Sequence, residues 1–256
     1  MWKSDLQDER IKVTYLFHSG VSLEFAGCIV IIDYYQPADF AEILHPEVER
    51  LLRKQKKIYV LVSHAHSDHF DPIILAWSKL PCDITYIFSE DIRRQLPFQM
   101  SVQHFMKKGD TYQDDCLFVR AYGSTDQGVS FYLEVGAWKL FHAGDLNNWH
   151  WNEESTEEEI EQSESDFLRE LADIEENCPE LDLVCFPIDR RLGKDYMRGA
   201  EQFLSRIRVH YFIPIHFTSG GFSSIAAFRP IAACYGATFW EIKKECDNII
   251  INKTGT

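Results

Sequence analysis

A short apolar run that leads directly into a cluster of histidines constrains this chain more than any other feature. Residues 58–62 are apolar throughout, which predicts a strand buried on both faces. Four candidate metal ligands follow between positions 64 and 69, namely His64, His66, Asp68 and His69. Imidazole nitrogens and a carboxylate suit zinc, iron or manganese, and a loop that leaves a strand can turn alternate side chains toward one point. The sequence therefore predicts a metal site at the end of a buried strand.

Apolar alternation on both sides of this run predicts two layers of strands with helices around them. We expect strands at residues 11–17, 21–25, 28–33, 58–62, 84–88, 116–121, 129–135, 139–142, 181–186, 211–215 and 249–251, and near Phe239. The first three are separated by short turns, which favours an antiparallel meander. We expect helices from Pro46 to about Lys57, from about Pro72, and at about 200–208 and 223–234. The pattern predicts a single α/β domain over residues 1–256.

The net charge of −14 is concentrated in one segment of the chain. Thirteen acidic residues and one basic residue lie between positions 152 and 180, so the remainder is nearly neutral. We expect one surface helix here, from about Ser155 to Asn177, with a capping box formed by Ser155 and Glu158. Its inward-facing residues are expected to be Ile160, Phe167, Leu171 and Ile174. No basic stripe follows the chain, which disfavours, but does not exclude, a nucleic-acid partner.

Cysteine usage and hydropathy bear on the compartment. The seven cysteines never occur in C-x-x-C spacing, which is untypical of a disulfide framework or a cysteine zinc site. No run reaches the roughly 18 apolar residues of a membrane span, and the first ten residues are too charged for a secretory signal. We therefore expect a cytoplasmic protein without a membrane partner, whose oligomeric state the sequence leaves open.

Three motifs together resemble one family. His-x-His-x-Asp-His after a buried strand is similar to the signature of the metallo-β-lactamase superfamily of metal-dependent hydrolases. Two later segments, 141–145 ending in Gly-Asp and 212–216 ending in His, are similar to that family's remaining ligand strands. The opening, with a strand, the turn at 18–20 and a second strand ending in Asp33, resembles the lactonase-like branch. The resemblance implies a four-layer αββα sandwich.

The resemblance also implies a ligand set. Asp68, His69 and His216 would hold one metal ion, and Asp145 would bridge it to a second ion held by His64 and His66. The family normally has a third histidine at the second ion, in a loop where this chain has residues 121–126 and no histidine. Asp126 or Ser124 could replace it, and further candidates are His18, His142 and His150. We expect unequal metal affinity, because the second site has lost one ligand.

Hydrolysis of an ester, lactone or phosphodiester is the activity that the resemblance implies. A metal-bound hydroxide would attack the substrate, with Asp68 or Asp145 as the catalytic group that positions it. The metal would be Zn²⁺, one or two ions, with Mn²⁺ or Fe²⁺ as alternatives. The competing interpretation is a degenerate member that binds metal or ligand without turnover, which the missing histidine motivates. A nuclease is disfavoured because the chain has no basic arm, and β-lactam hydrolysis is the least favoured reaction.

Substrate contacts are expected from two segments that follow strands. Arg190 and Arg191, with Lys194, could bind a phosphate or carboxylate of a small-molecule substrate, or could belong to a plain surface loop. Trp149 and Trp151 follow Asp145 closely. They could form a pocket wall, or pack beneath the acidic helix.

Overall fold

A first sheet of seven strands carries the histidine motif at one edge. The computed structural model describes residues 9–96, 104–218 and 221–253. The strands are Arg10–Tyr15 (β1), Val21–Glu24 (β2), Cys28–Ile32 (β3), Lys57–Val62 (β4), Ile84–Ser89 (β5), His104–Met106 (β6) and Asn248–Asn252 (β14), in the order β14-β1-β2-β3-β4-β5-β6. The predicted antiparallel meander β1-β2-β3 is confirmed. Strands β3 to β6 are parallel, so the residues that follow β3 and β4 lie side by side.

A second sheet of seven strands brings the remaining candidate ligands to an edge. Its strands are Thr111–Gln113 (β7), Phe118–Tyr122 (β8), Ser130–Val135 (β9), Trp138–His142 (β10), Glu180–Pro187 (β11), Arg208–Ile215 (β12) and Thr238–Phe239 (β13), in the order β13-β12-β11-β10-β9-β8-β7. Strands β10, β11 and β12 are parallel neighbours. The carboxyl ends of parallel strands meet at one edge, so the segments after β10, β11 and β12 come together there.

Two clusters of buried apolar side chains hold the four layers together. Alternate residues of β3 and β4 face opposite sides: Val30 and Leu61 belong to the core between the sheets, whereas Ile31 and Val60 pack toward the outer helices. Both faces of these strands are therefore buried, which explains their continuous apolar sequence. Helix Ala41–Leu52 (α1) and the 3₁₀ helix Pro72–Lys79 cover the first sheet. The predicted αββα sandwich is confirmed.

Helices cover the outer face of the second sheet. They are Glu157–Asn177 (α2), Arg198–Arg206 (α3), Phe222–Ile225 (α4) and Arg229–Cys234 (α5). Phe167, Leu171 and Ile174 of α2 are buried as predicted, whereas Ile160 is only partly buried. No helix within the described parts of the chain is both long and apolar enough to cross a membrane.

The structure corrects three helix boundaries. Helix α1 begins at Ala41 and contains Pro46 in its interior, where the proline removes one backbone donor without ending the helix. The capping box of α2 is formed by Thr156 and Glu159, one residue after the predicted pair, because the Thr156 hydroxyl accepts from the Glu159 N–H. The helix expected at 223–234 is divided into α4, the 3₁₀ helix Ala226–Phe228 and α5.

Candidate metal centre

Asp145 lies at the point where the two sheets bring their strand ends together. It follows β10, and its Oδ1 is 3.1 Å from Nε2 of His69 and 3.2 Å from Nε2 of His216. Its other oxygen, Oδ2, is 3.3 Å from Nε2 of His64. The Asp145 carboxylate thus contacts imidazoles from β4 of the first sheet and β12 of the second.

Two groups of ligand atoms share this point. The first, here called the Asp126 cluster, contains His64, His66, Asp126 and Asp145, with one ligand atom of each within 4.8 Å of all the others. Asp126 comes from the loop between β8 and β9, and its Oδ2 is 3.7 Å from Nδ1 of His66. The structure therefore places a carboxylate where the family resemblance leads one to expect a histidine.

The second group, here called the three-His cluster, contains His18, His69 and His216, again within 4.8 Å of one another and all buried. Asp68 was predicted to join His69 and His216. The structure places it at the edge of this group instead, with its Oδ2 3.3 Å from Nε2 of His18. Three of the four residues expected to converge, His69, Asp145 and His216, are therefore in direct contact, and Asp68 reaches them through His18.

The donor atoms of the centre fit a divalent metal ion. Nε2 of His18, Nε2 of His69 and Oδ1 of Asp145 are buried, and their close polar contacts with one another and with Asp68 do not have hydrogen-bond geometry. Buried polar atoms normally form hydrogen bonds, so three buried atoms without one at a single point need an explanation. Two ligands of one tetrahedral zinc ion, each about 2.0–2.1 Å from the metal, lie about 3.3 Å apart. The separations around Asp145, between 3.1 and 3.3 Å, match that spacing.

Asp33, which follows β3, orients ligands of both clusters. Its Oδ2 is 2.9 Å from Nδ1 of His69 and also accepts a 2.7 Å bond from the Ser63 hydroxyl. That hydroxyl is in turn 3.0 Å from Nδ1 of His64. Burial raises the pKa of the Asp33 carboxyl, but the hydrogen bond and charge of His69 outweigh this effect and lower it. Asp33 thus remains charged and turns Nε2 of His69 toward the centre.

Asp189, which follows β11, does the same for His216. Its Oδ2 is 3.0 Å from Nδ1 of His216, and it accepts bonds from Nε and Nη2 of Arg191 at 2.8 and 2.6 Å. Burial opposes the charge, but His216 and Arg191 lower the pKa of Asp189. Sequence reasoning missed the roles of Asp33 and Asp189. The available signal was an acidic residue placed directly after, or shortly after, a buried strand.

The electrostatics of the centre favour a positive charge. Burial opposes protonation of His69, but Asp145 and Asp33 outweigh it and raise its pKa to about 10. Burial likewise opposes the Asp145 charge, but His216 and His69 hold the pKa of that carboxyl well below its usual range. Without a metal, protonated imidazoles balance the buried carboxylates. A divalent cation supplies the same balance and leaves the imidazoles neutral, as metal ligands must be.

The backbone is strained at the residues that shape the centre. His18, Asp33 and His216 have φ values of 55°, 50° and 62°, in the left-handed region that non-glycine residues rarely adopt. Gly144, before Asp145, also has a positive φ, and a Cβ there would lie 2.8 Å from Cβ of Ser63. Such strain collects at functional sites, where the surrounding structure holds it in place.

Two predicted ligand candidates belong to neither cluster. Nε2 of His142 bonds to the carbonyl of Ser19 and its Nδ1 accepts from the Gly144 N–H. His150 likewise uses both ring nitrogens on the backbone, at Asp195 and Asn152. The hydroxyl of Ser124, a proposed replacement ligand, accepts from the Asp126 N–H and is outside both clusters. These side chains support loops near the centre.

Two cavities open onto the centre, and Asp68, Arg191 and His216 line both. One, of about 420 Å³, has largely apolar walls that include Phe17 and Phe217. The other, of about 350 Å³, is lined by Asp126, Asp145, Trp149 and Trp151, among others. The two indoles stack with ring centroids 6.2 Å apart. Arg190 also lines the first cavity and donates to the Ser224 hydroxyl at 3.0 Å.

Comparison with known proteins places the chain in a family. The family model described as "Beta-lactamase superfamily domain" matches residues 12–164, more than half of the chain. This range contains both the His-x-His-x-Asp-His motif and the Gly-Asp strand. No curated protein matches by sequence.

Solved structures share the fold at low identity. Igni18, a metallo hydrolase from the archaeon Ignicoccus hospitalis, is 16% identical with a TM-score of 0.63 and covers 95% of this chain and 99% of its own. YhfI from Bacillus subtilis, a metallo-β-lactamase fold protein, is 11% identical with a TM-score of 0.59, covering 94% and 99%. CmlA from Streptomyces venezuelae, a diiron β-hydroxylase, is 13% identical with a TM-score of 0.58, covering 96% of this chain and 54% of its own. At these identities the likeness shows the fold alone. Together with the family model, it establishes that the chain belongs to the β-lactamase superfamily and has the metallo-β-lactamase fold.

Proposed function

We propose that this protein is a metal-dependent hydrolase of an ester, lactone or phosphodiester. The observation that carries the proposal is the convergence of unpaired, buried ligand atoms from His18, His69 and Asp145 at the ends of strands from both sheets. Such atoms are costly to bury unless a ligand satisfies them. The first strands of the chain resemble the lactonase-like branch, which supports an ester or lactone substrate. The assignment to that branch stays a prediction.

The side chains of the centre have two proposed roles, metal binding and orientation of the attacking water. A divalent metal ion bound here would lower the pKa of a water molecule and polarise the oxygen of the scissile group. His64, His66, Asp126 and Asp145 would hold one ion, and Asp68, His69, His216 and Asp145 the other. Asp68 lies where a carboxylate can orient the attacking water, because its side chain is 43% exposed and faces both cavities. The His18 imidazole, whose Nε2 is 3.3 Å from Oδ2 of Asp68, lowers the pKa of the Asp68 carboxyl, so Asp68 is charged at neutral pH.

The cavities suggest a small-molecule substrate with an anionic group. Volumes of about 350 and 420 Å³ are in the range of small-molecule sites. Arg191 uses Nε and Nη2 on Asp189, and no described residue accepts a hydrogen bond from its Nη1. That edge of the guanidinium can bind a carboxylate or phosphate of the substrate, with Arg190 beside it. The stacked Trp149 and Trp151 would hold an apolar part.

We propose zinc as the metal, one or two ions per chain, with Mn²⁺ or Fe²⁺ as alternatives. Imidazole suits zinc and iron, whereas the two carboxylates of the Asp126 cluster also suit manganese. CmlA, which has a similar fold, is a diiron enzyme, so iron stays among the candidate metals. We further propose a cytoplasmic location, which the seven free thiols support, because unpaired cysteines are typical of reducing compartments.

Chelation and add-back test the proposed activity. The purified protein would be assayed with p-nitrophenyl acetate, γ-butyrolactone and bis(p-nitrophenyl) phosphate, before and after removal of metal with a chelator. We expect turnover of at least one probe, its loss on chelation, and its return with Zn²⁺ or Mn²⁺. Asp145→Asn should abolish it, and Glu176→Gln, on the exposed face of α2, should not. Turnover that survives both chelation and Asp145→Asn would contradict the proposal.

A non-catalytic metal-binding protein is the second candidate. One observation favours it: the Asp126 side chain that stands in for the family's histidine is 44% exposed, and His66 beside it is 40% exposed. A ligand pair open to solvent binds metal less tightly than a buried one. Tight metal binding without turnover of any of the three classes of probe would support this alternative.

A further inference from the structure

Trp151 has a backbone conformation that bulky residues rarely adopt. Its φ is 42°, in the left-handed region, where a large side chain strains the backbone. It lies in the segment that joins β10 to α2, and its side chain lines the same cavity as Asp145. Strain of this kind persists only where the surrounding structure imposes it, and it collects at functional sites.

Hydrogen bonds on both sides fix the Trp151 backbone. Its carbonyl accepts from two backbone N–H groups of the following turn, at 2.8 and 2.9 Å. The fully buried ring of His150 accepts from the Asn152 N–H and donates to the Asp195 carbonyl, both at 3.2 Å. Nδ2 of Asn152 also donates to Oδ2 of Asp195 at 2.7 Å. The neighbouring residues therefore impose the conformation of Trp151 and determine where its indole lies.

The indoles of Trp149 and Trp151 are not part of the apolar core. Neither belongs to the two clusters of buried apolar side chains or to the residues packed against them. Both line the cavity of about 350 Å³ instead. Nε1 of Trp149 donates to the Asp145 carbonyl at 2.8 Å, and its ring centroid is 5.1 Å from that of His216. An aromatic surface thus lies directly beside the metal centre.

The two indoles form a wall and not a slot. Their planes are 16° apart and their ring centroids are separated by 6.2 Å. A third ring between them would need about 7 Å, twice the van der Waals distance of roughly 3.5 Å. A ligand ring must therefore pack on the outside of the pair. Arg191 lines the same cavity, so one ligand can contact the indoles and place an anionic group at the guanidinium.

We propose that Trp151, together with Trp149, selects substrates that carry an aromatic ring beside the group to be hydrolysed. This inference rests on the proposed function, which places the scissile group at Asp145, and it adds a substrate class: an aromatic ester, lactone or phosphodiester with an anionic group. Aromatic rings gain from stacked or edge-to-face contact with an indole beyond the apolar area that they bury. A saturated ring of the same size lacks that gain.

Binding of two matched carboxylates tests the selection without turnover. Benzoate and cyclohexanecarboxylate carry the same charge at neutral pH and have rings of the same size, but only one ring is aromatic. Protein supplied with Zn²⁺ would be titrated with each by calorimetry. We expect benzoate to bind about 3- to 10-fold more tightly, as for one aromatic pair. Trp151→Leu and Trp149→Leu should each lose this preference, whereas Trp151→Phe, which keeps a ring under the same backbone strain, should retain it.

The control is a second exposed aromatic residue. Tyr235→Leu removes a side chain that lines neither cavity at the centre, and it should bind both carboxylates like wild type. Circular dichroism checks that each variant is folded. The inference is overturned if wild type binds both carboxylates equally, if it binds neither at millimolar concentration, or if folded Trp151→Leu keeps the preference. A protein that shows the preference but hydrolyses no probe would instead contradict the proposed function.

Discussion

At the residue scale, the centre depends on carboxylates that do different jobs. Asp145 faces the imidazole Nε2 atoms, whereas Asp33 and Asp189 bind the Nδ1 atoms of His69 and His216 from behind. The histidines could be recognised from their spacing after a buried strand. Asp33 and Asp189 were missed, because a single acidic residue after a buried strand is a weaker signal than the spacing of the histidines.

Asp126 should be a metal ligand in place of the missing histidine. Asp126→Ala removes one oxygen from the Asp126 cluster, and we expect the variant to lose one metal equivalent together with turnover. Ser124→Ala is the matched control, because Ser124 is in the same loop and outside the cluster. Elemental analysis of both variants checks this, and unchanged metal content and activity in Asp126→Ala would eliminate the role.

Asp33 should strengthen metal binding without touching the metal. Asp33→Asn removes the charge behind His69 and weakens the link through Ser63 to His64, so we expect metal affinity to fall by roughly 10–100-fold. Titration against a competing chelator measures this. Asp71→Asn is the control, because Asp71 is the N-cap of the 3₁₀ helix Pro72–Lys79 and contacts no candidate ligand. Equal metal affinities in Asp33→Asn and wild type would show that the Asp33–His69 contact does not contribute to metal binding.

At the element scale, strand order explains why distant residues meet. Parallel neighbours β3 and β4 place Asp33 beside Ser63 and His64, and parallel neighbours β10, β11 and β12 collect Asp145, Asp189 and His216. The sequence predicted these strands well, since continuous apolar runs are typical of strands buried on both faces. The predicted start of α1 at Pro46 was wrong. Proline favours the first turn of a helix, but Pro46 lies in the interior of α1, which begins at Ala41.

The acidic face of α2 should be outside the functional site. Phe167, Leu171 and Ile174 pack inward, and none of the helix's residues lines either cavity at the centre. Replacing Glu157, Glu158 and Glu161 together by Gln should leave metal content unchanged and turnover within a few-fold of wild type. Steady-state kinetics on the most active probe measure this. A collapse of activity in a folded triple variant would show that the acidic face contributes to the site.

At the scale of the whole molecule, the candidate ligands come from both sheets. His18, His64 and His69 follow strands of the first sheet, and Asp145 and His216 follow strands of the second. A metal ion at Asp145 would therefore connect the two halves of the sandwich and stabilise the native state by mass action. Sequence reasoning anticipated the four layers through family resemblance, but the pairing of the halves at one carboxylate requires the three-dimensional structure.

A buried ion cluster far from the centre should make stability depend on pH. Glu24 of β2 is 5% exposed and pairs with Arg50 and Lys54 of the α1 region and with Lys12 of β1. Burial opposes its charge, but Arg50 and Lys54 lower its pKa from 4.5 to about 2. The stabilisation is therefore present above pH 4.5 and is lost as the pH falls through about 2.

Urea unfolding measures this contribution. At pH 7 we expect Glu24→Gln to be less stable than wild type by about 3 kcal/mol, given about 1.4 kcal/mol for each pKa unit. The difference should shrink steadily between pH 4.5 and pH 2. Glu176→Gln, an exposed carboxylate, should show little difference at any pH. A gap between Glu24→Gln and wild type that is independent of pH would contradict the ion-pair explanation.

Metal content per chain is the most direct test of the centre. Wild type and Asp145→Asn would be purified without chelators and analysed for transition metals. Asp145 is chosen because its two carboxylate oxygens contact imidazoles of both clusters. We expect at least one tightly held ion in wild type and a marked loss in Asp145→Asn. Mild chelation should first remove the ion of the Asp126 cluster, because His66 and Asp126 are exposed whereas the three-His cluster is buried. A folded wild type without metal that also takes up none on addition of Zn²⁺, Mn²⁺ or Fe²⁺ would contradict the assignment.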